Sequence, residues 1–359
     1  MEFIVISDLH INEHPIFRNG EGQNLSLKIM EDCLDQVWDY AKKVDGPVIH
    51  TGDLFDMRNK IPVNLVVFAQ RMFSKCSNKI YLLKGTSFHD GEADNYNGNI
   101  FSLQKDFETF DVPTGIYSNK GFVFYFLPSV PKSKLLEAIE IFKNKTGKND
   151  NKLTRIVFGH SALAGAKTLA YEASSDESLS KKDLDFFHFG FFGHYHKYQE
   201  VWNNFFQVGS PYRVDFSERM DPKGFIHFKD GKVKFIPLQI PDMIQIDIDK
   251  HFRPYRGKIR DAFFKFVITG DSDFVNGFDS PMMEKQFYEL GALGIRCERK
   301  ITGLDAADQA REIRIRKEDS PLKMLNRYVD LMEEEDRLGG LDKQRILRIG
   351  KLAMEKGTE

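Results

Sequence analysis

Residues 3–10 read Phe-Ile-Val-Ile-Ser-Asp-Leu-His, an apolar run that ends in two side chains able to bind a metal ion. The run is short and rich in β-forming residues, so it predicts a buried strand at the very start of the chain. Asp8 and His10 follow where this strand would end. Because open α/β sheets bind ligands at the carboxyl ends of their strands, this stretch predicts both a fold class and the position of a site.

Polar motifs follow four later predicted strands in the same way. They are Gly52-Asp53, Gly85 to Asp90, Gly159-His160 and Gly193 to His196. Apolar residues at helical spacing over 25–43 and 62–73 place helices between the first strands, and this alternation is typical of βαβ units. The later strands are short and aromatic, and Asp230-Gly231 between two apolar runs predicts a hairpin. We therefore predict an α/β fold with two sheets flanked by helices.

Six side chains at these strand ends are candidate metal ligands: Asp8, His10, Asp53, His160, His194 and His196. Carboxylates combined with imidazoles suit Mn, Fe or Zn better than Ca or Mg, which prefer oxygen ligands. Six ligands are too many for one tetrahedral ion and match two octahedral ions that share a carboxylate. Ions in such a pair lie roughly 3.5–4 Å apart and hold the attacking and leaving oxygens of a displacement at phosphorus.

Each motif alone has a simpler reading, because Gly-Asp at a strand end is commonly only a turn. The ordered set is what predicts a di-metal site. Five other histidines lack this context and are predicted to be ordinary surface or hydrogen-bonded residues: His14, His50, His188, His227 and His251.

The ordered motifs resemble those of the calcineurin-like metallophosphoesterase superfamily, over about residues 1–215. Their details are most similar to its DNA-repair nuclease branch, the SbcD-type nucleases and bacteriophage recombination endonuclease subunits. The stretches that carry this likeness are Ser7 to His10, Thr51 to Asp56, Gly193 to His196 and Val208 to Pro211. The resemblance implies a four-layer α/β/β/α metallophosphoesterase sandwich.

The resemblance also implies a role for each site residue. One ion, expected to be Mn²⁺ with Mg²⁺, Fe²⁺ or Zn²⁺ as alternatives, would be held by Asp8, His10, Asp53 and His196. A second would be held by Asp53, His160 and His194, so that Asp53 bridges the two. His89 would stabilise charge on the phosphate or protonate the leaving oxygen, and Asp90 would orient it.

The third motif departs from the family pattern Gly-Asn-His-Asp. Phe88 precedes His89, and one extra residue lies between Gly85 and His89. The second ion therefore lacks its usual Asn ligand. The hydroxyl of Thr86 or Ser87, a backbone carbonyl or water would take its place, or the second site would be weaker.

The chain after residue 240 predicts two further parts. We expect a metallophosphoesterase nuclease domain at 1–240, a small α+β domain at 241–303, and a C-terminal helical pair at 304–359. In the nuclease branch the small domain caps the active site and helps select DNA, while the helices bind an SMC-like (SbcC-type) ATPase. The chain has no P-loop motif, so that ATPase would be a separate polypeptide. Packing of the helices on the chain's own body is the alternative.

The same resemblance implies a homodimer formed through residues 62–73 and 97–110. Ile100, Leu103 and Phe107 stand at helical spacing there, which fits a dimer face and fits a core face equally well.

Composition sets the remaining limits. The 359 residues carry 51 Lys+Arg against 53 Asp+Glu, a net charge of −2, which gives no support to a strongly basic nucleic-acid binder. Cys33, Cys76 and Cys297 are scattered, as in a reducing cytosol. No apolar run approaches the roughly 18 residues of a membrane span, and no signal peptide is evident. We expect a cytoplasmic protein without a membrane partner, in the host cytoplasm if a phage encodes it.

The function implied by the resemblance is a metal-dependent DNA nuclease with 3′→5′ exonuclease and single-strand endonuclease activity. It would act in double-strand-break repair or recombination, in a complex with the ATPase. Two alternatives stay open. One is a metal-dependent phosphomonoesterase or phosphodiesterase on a non-DNA substrate. The other is a non-catalytic scaffold, suggested by the missing Asn.

Overall fold

The structure is a computed structural model of the chain. It describes residues 1–56, 60–86, 89–90, 107–117, 121–145, 153–167 and 178–302, and the isolated positions Val329, Lys343 and Leu347. The chain divides into two compact units, one formed by Met1–Val267 with Asp279–Glu298 and the other by Ile268–Phe278 with Arg299–Glu359. All the predicted metal ligands lie in the first unit. The part of the chain that the structure describes has no helix long and apolar enough to cross a membrane.

The described strands, in chain order, are β1 (Glu2–Ile6), β2 (Val48–His50), β3 (Ile80–Leu83), β4 (Phe107–Phe110), β5 (Thr114–Tyr117), β6 (Phe122–Leu127), β7 (Thr154–His160), β8 (Phe189–Gly193), β9 (Gln199–Trp202), β10 (Phe205–Gln207), β11 (Gly224–Lys229), β12 (Lys232–Pro237), β13 (Asp242–Ile248), β14 (Ala262–Gly270) and β15 (Gly294–Ile301). The helices are α1 (Ser26–Ala41), α2 (Val63–Phe73), α3 (Lys132–Lys145), α4 (Ser272–Gly277) and α5 (Ser280–Glu289). Short 3-10 turns occur at Pro15–Phe17 and Phe216–Glu218.

Two six-stranded sheets form the body of the molecule. The first has the order β12-β11-β1-β2-β3-β4 and the second β5-β6-β7-β8-β10-β9. β1 to β4 pair in parallel, as do β6, β7, β8 and β10. Parallel pairing brings the carboxyl ends of neighbouring strands to one edge, which is where the polar motifs stand. The antiparallel β11–β12 hairpin turns at Asp230-Gly231, as predicted.

Phenylalanines fill the space between the sheets. The Phe3 ring stacks on Phe228 with 4.5 Å between centroids, and it meets Phe158 edge-on at 5.3 Å. Aromatic pairs of this kind contribute about 0.5–1.5 kcal/mol beyond the area they bury. The outer face of the first sheet packs on α1 and α2, where Trp38 Nε1 of α1 donates to the Met72 carbonyl of α2 at 2.9 Å.

The outer face of the second sheet packs on α3, since Tyr125 of β6 lies against Phe142. The layers are therefore α/β/β/α, and the predicted sandwich is confirmed. β4 was not predicted: Phe107 stands at helical spacing from Ile100 and Leu103, yet it begins a strand that pairs in parallel with β3. Ile100 and Leu103 lie outside the described residues.

After the sandwich, β13, β14 and β15 form a three-stranded sheet accompanied by α4 and α5. These elements match the predicted α+β content of 241–303, whereas the domain limits at 240 and 303 stay a prediction. The helical pair predicted within 304–359 lies outside the described residues, apart from three isolated helical positions.

Candidate metal centre

Four predicted ligands stand on strained backbone directly after the strands. Asp8, His10, Asp53 and His194 have φ values of 52°, 43°, 55° and 102°. Such conformations are uncommon outside glycine and cost on the order of 1–3 kcal/mol each, so they persist only where the surroundings fix them. Here two loops hold each other, because the Asp8 and His10 amides donate to the Gly52 and Asp53 carbonyls, both at 3.1 Å.

Asp8, His10 and His196 form the first group of donor atoms, all within 4.8 Å of one another. His196 Nδ1 lies 2.7 Å from Glu218 Oε1, so Nδ1 carries the proton and Nε2 is free to bind a cation. That Nε2 faces His10 Nε2 at 2.9 Å. Two ring nitrogens at this distance need a proton or a cation at their meeting point, and the donor set fits a divalent metal.

Asp53, His160 and His194 form the second group. His160 Nδ1 donates to the Thr51 carbonyl at 2.7 Å, so Nε2 is the nitrogen that can bind a proton or a metal ion. This buried Nε2 makes no hydrogen bond to any described residue and points at Asp53 Oδ2, 3.2 Å away. A buried nitrogen without a hydrogen bond beside a carboxylate oxygen is the arrangement that a metal ion satisfies.

Asp53 connects the two groups. Its Oδ2 lies 3.9 Å from His10 Nε2 and 3.2 Å from His160 Nε2. Its Oδ1 accepts hydrogen bonds from the Thr86 amide at 2.6 Å and the Thr86 hydroxyl at 3.0 Å. Asp53 also forms a donor group with His10 and His89, so it stands between the first group and the second, and its bridging role stays a prediction. Of the expected substitutes for Asn, Thr86 therefore stands beside the bridging carboxylate, whereas Ser87 and Phe88 lie outside the described residues.

His89 faces the same centre, but its carboxylate partner differs from the predicted one. Its Nε2 is 3.9 Å from Asp53 Oδ2, and its Nδ1 is 3.0 Å from Asp56 Oδ1. Burial alone would lower the pKa of His89, but Asp56 raises it. Asp56, a residue of the second motif, is thus the carboxylate next to His89 where Asp90 was expected, although His89 Nδ1 makes no hydrogen bond of regular geometry to any described residue.

Asp90 anchors the backbone instead. Its carboxylate accepts four backbone N–H groups: Gly85 at 2.8 Å, Asp53 and Leu54 at 3.0 Å, and Phe55 at 3.3 Å. Burial and the charge of Asp53 raise the pKa of Asp90 to about 6, while these amides favour its ionised form. Asp90 therefore fixes the loop that presents Asp53.

Glu218 and Lys223 support the first group from behind and were missed by the sequence reasoning. Glu218 Oε2 is 2.7 Å from Lys223 Nζ, which also donates to the His196 carbonyl at 2.8 Å and the Ser210 hydroxyl at 2.7 Å. Burial alone would raise the pKa of Glu218, but its bonds to His196 and Lys223 lower it to about 2. The His196 ring is thus fixed through its own nitrogen and its own carbonyl.

Two of the five histidines set aside from the sequence are not at the surface. His14 is buried beside the site, with Nε2 3.0 Å from the His10 carbonyl and Nδ1 3.8 Å from Asp56 Oδ2. His50 is fully buried, and its Nε2 makes no hydrogen bond to any described residue. Burial lowers the pKa of His50 to about 3, so the ring is neutral. The only sequence signal for the burial of His50 is its position in a predicted strand, directly after Val48 and Ile49.

The opposite charges of Asp53 and His160 hold both groups in their ionised forms. Although burial opposes it, the imidazole of His160 helps to hold the pKa of Asp53 well below its usual range. Burial alone would lower the pKa of His160, but Asp53 raises it to about 9. Without a metal, His160 therefore carries the cation that Asp53 requires, and a bound divalent ion would replace that proton.

A cavity of about 410 Å³ opens over these groups. Its lining consists of two carboxylates, five imidazoles, one hydroxyl and one apolar side chain. These belong to Asp53, Asp56, His10, His14, His89, His194, His196, Thr86 and Val214. A sandwich of this kind, with donor groups that meet at Asp53 at the strand ends, is the arrangement expected of the dimetal phosphoesterase class.

Comparison with known proteins agrees with this class. The family description "Calcineurin-like phosphoesterase" matches residues 1–198, and the chain belongs to that family. The chain is 29% identical over 135 residues to "Putative phosphoesterase 244L" of Invertebrate iridescent virus 6, which covers 37% of this chain and 45% of that protein.

Two solved phosphatases are similar in structure. A dimetal phosphatase from Danio rerio superimposes with a TM-score of 0.44 at 10% identity, over 63% of this chain and 91% of that chain. Purple acid phosphatase PPD1 from yellow lupin (Lupinus luteus) seeds gives 0.42 at 14% identity, over 67% of this chain and 52% of that chain.

Proposed function

We propose that this chain is a phosphoester hydrolase and, more specifically, a Mn²⁺-dependent DNA nuclease with 3′→5′ exonuclease and single-strand endonuclease activity, acting in double-strand-break repair or recombination. The observation that carries the hydrolytic part is the position of Asp53 in two donor groups, one with His160 and His194 and one with His10 and His89. The choice of DNA is supported by the nuclease-type motifs and by the α+β layer that follows the sandwich.

Each site residue has a task in this proposal. Two divalent ions would supply positive charge for the phosphate oxygens and would activate water as the nucleophile. Asp8, His10 and His196 hold one side of the site, His160 and His194 hold the other, and Asp53 fixes their separation. His89 donates a proton to the leaving oxygen, and Asp56 keeps its Nε2 directed toward the cavity.

A nuclease assay with Mn²⁺ on linear duplex and single-stranded DNA tests this function. Asp8→Ala should lose both metal binding and cleavage. His89→Ala should retain metal binding and lose cleavage by about 10²-fold or more, the usual contribution of a proton donor. His188→Gln, an exposed histidine outside the site, should cleave like the wild type.

Three results would contradict the proposal. Turnover of a nitrophenyl phosphate with inert DNA would assign a phosphomonoesterase. Binding of fewer than two Mn²⁺ per chain, measured by calorimetry, would favour a non-catalytic scaffold. Cleavage that survives both substitutions would come from a contaminant.

The proposal includes two protein partners and a compartment. The partners are a separate SMC-like ATPase, bound through the C-terminal helices, and a second copy of the chain. The compartment is the cytoplasm.

Light scattering of the purified chain should give a dimer mass. Truncation at residue 303 should remove ATPase binding, while dimerisation and basal cleavage remain. A monomeric full chain, or ATPase binding by the truncated chain, would refute the corresponding part.

A further inference from the structure

The connection between β13 and β14 carries an unusual concentration of positive charge. Residues 250–260 read Lys-His-Phe-Arg-Pro-Tyr-Arg-Gly-Lys-Ile-Arg, with five Lys or Arg and no acidic residue. All five cations are exposed. The whole chain has a net charge of −2, so this basic loop differs sharply from the average surface.

Three of these cations have no carboxylate partner in the part of the chain that the structure describes. Arg253, Arg256 and Lys258 make no ion pair with any described residue. Two lysines elsewhere on the described surface do have carboxylate partners, Lys28 with Asp32 at 2.6 Å and Lys265 with Glu298 at 2.5 Å. Unpaired like charges repel one another, so the loop has an electrostatic cost that an anionic partner would remove.

The loop is held in place at three points. At its start, Asp249 accepts the His251 amide through Oδ1 at 2.8 Å. In its middle, the Tyr255 ring packs inward on Phe264, and Gly257 lies so close to this ring that an added Cβ would be 2.1 Å from the hydroxyl. At its end, the Asp261 amide donates to the Gly291 carbonyl at 3.0 Å. The basic loop is therefore a fixed platform for its charges.

The chemistry of the basic loop favours a phosphate backbone. Three of its cations are arginines, whose planar guanidinium groups pair with phosphate in two parallel hydrogen bonds. Its aromatic residues, Phe252 and Tyr255, are half-buried, so the loop presents no exposed apolar anchor of the kind found in protein or lipid interfaces. Cations two residues apart on extended chain are separated by about 7 Å, far enough for each to meet a different phosphate.

We propose that the basic loop 250–260 is a docking surface for the sugar-phosphate backbone of a nucleic acid, contacted without sequence readout. The inference rests on the proposed function, because a DNA nuclease must hold its substrate beyond the scissile phosphate. It adds a specific segment and specific residues to that function.

Salt-dependent binding of the full chain tests the proposal. Binding is measured by fluorescence anisotropy with a labelled single-stranded 30-mer and with the corresponding duplex. EDTA removes divalent metal ions, so binding is observed without hydrolysis. In Arg253→Gln/Arg256→Gln/Lys258→Gln, the slope of log K against log salt should become less steep by about 2–3, because each lost phosphate contact contributes about 0.7–0.9. From 50 to 200 mM salt, the wild type should therefore lose about 20- to 40-fold more affinity than the variant.

The matched control removes the same charge elsewhere. Lys43→Gln/Lys232→Gln/Lys234→Gln neutralises three exposed lysines of the same unit and should keep the wild-type slope. Tyr255→Ala, which keeps every cation but frees the loop, should weaken binding with a smaller change in slope. Circular dichroism confirms the fold of each variant.

Several results would overturn the inference. One is an unchanged slope of log K against log salt in the loop variant. Another is a control variant whose slope falls as much as that of the loop variant, which would show that only net charge matters. Loop-dependent binding to phosphatidylserine vesicles or to polyglutamate, with DNA binding unaltered, would assign another partner. Loop-dependent DNA binding without any Mn²⁺-dependent cleavage would refute the proposed nuclease while leaving the loop assignment standing.

Discussion

Glu218→Ala should weaken both the fold and the first metal site. The substitution leaves the Lys223 ammonium, which is 3% exposed, without its carboxylate, and leaves His196 Nδ1 without its acceptor. The shift of the Glu218 pKa from 4.5 to about 2 corresponds to about 3 kcal/mol, at 1.36 kcal/mol per unit. Breaking a buried ion pair from one side costs about 3–5 kcal/mol. We therefore expect a loss of about 3–5 kcal/mol in the free energy of unfolding.

Denaturant titration in EDTA, followed by the fluorescence of the buried Trp38, measures this loss, and calorimetry with Mn²⁺ measures the metal site. Affinity should fall about 10- to 100-fold, as when a ligand's orienting partner is removed. Glu108→Ala breaks the exposed Lys79–Glu108 pair and should cost about 0–1 kcal/mol. Adding Lys223→Met to Glu218→Ala should restore stability but not metal affinity. A loss below about 1 kcal/mol in Glu218→Ala, or a double variant less stable than the single one, would refute the reasoning.

Three further predictions use other contacts. The stability difference between the wild type and Glu218→Gln should be full above pH 4.5 and shrink as the pH falls toward 2, because the folded pKa lies below the unfolded one; a difference that grows on acidification would contradict this. Gly85→Ala places a Cβ 2.1 Å from the Asp53 amide and should reduce Mn²⁺ affinity about 10- to 100-fold, whereas Gly277→Ala meets nothing within 4 Å and should keep wild-type affinity. A thiol reagent should modify the exposed Cys297 rapidly in the native protein, and Cys33, whose pKa burial raises to about 12, only after denaturation; rapid native labelling of Cys33 would contradict its burial.

The sequence predicted the sandwich because strand-end motifs and strand periodicity are both local. Asp8 and His10 follow an apolar run, and parallel pairing of β1, β2 and β3 then brings their ends together. Strand β4 could not be predicted in this way. The helical spacing that ends at Phe107 is a local pattern, and pairing with β3 overrides it.

Support residues were missed because their contacts are distant in sequence. Glu218 reaches His196 across 22 residues, and no spacing rule connects them. The place beside His89 was assigned to Asp90 and not to Asp56 for a related reason, since both are acidic residues of motifs next to the site. Which of them faces His89 depends on the four backbone amides that occupy the Asp90 carboxylate, and amide directions cannot be read from residue types.

The near-zero net charge is the clearest case in which a sequence average hides a local arrangement. Acidic and basic residues balance at 53 and 51, yet residues 250–260 contain five cations and no acid. Composition alone argued mildly against a nucleic-acid partner. Association with a polyanion depends on the cations that a surface presents together, not on the sum over the molecule. A fixed loop whose Arg253 and Arg256 make no ion pair with any described residue can therefore contact phosphates on a protein whose total charge is negative.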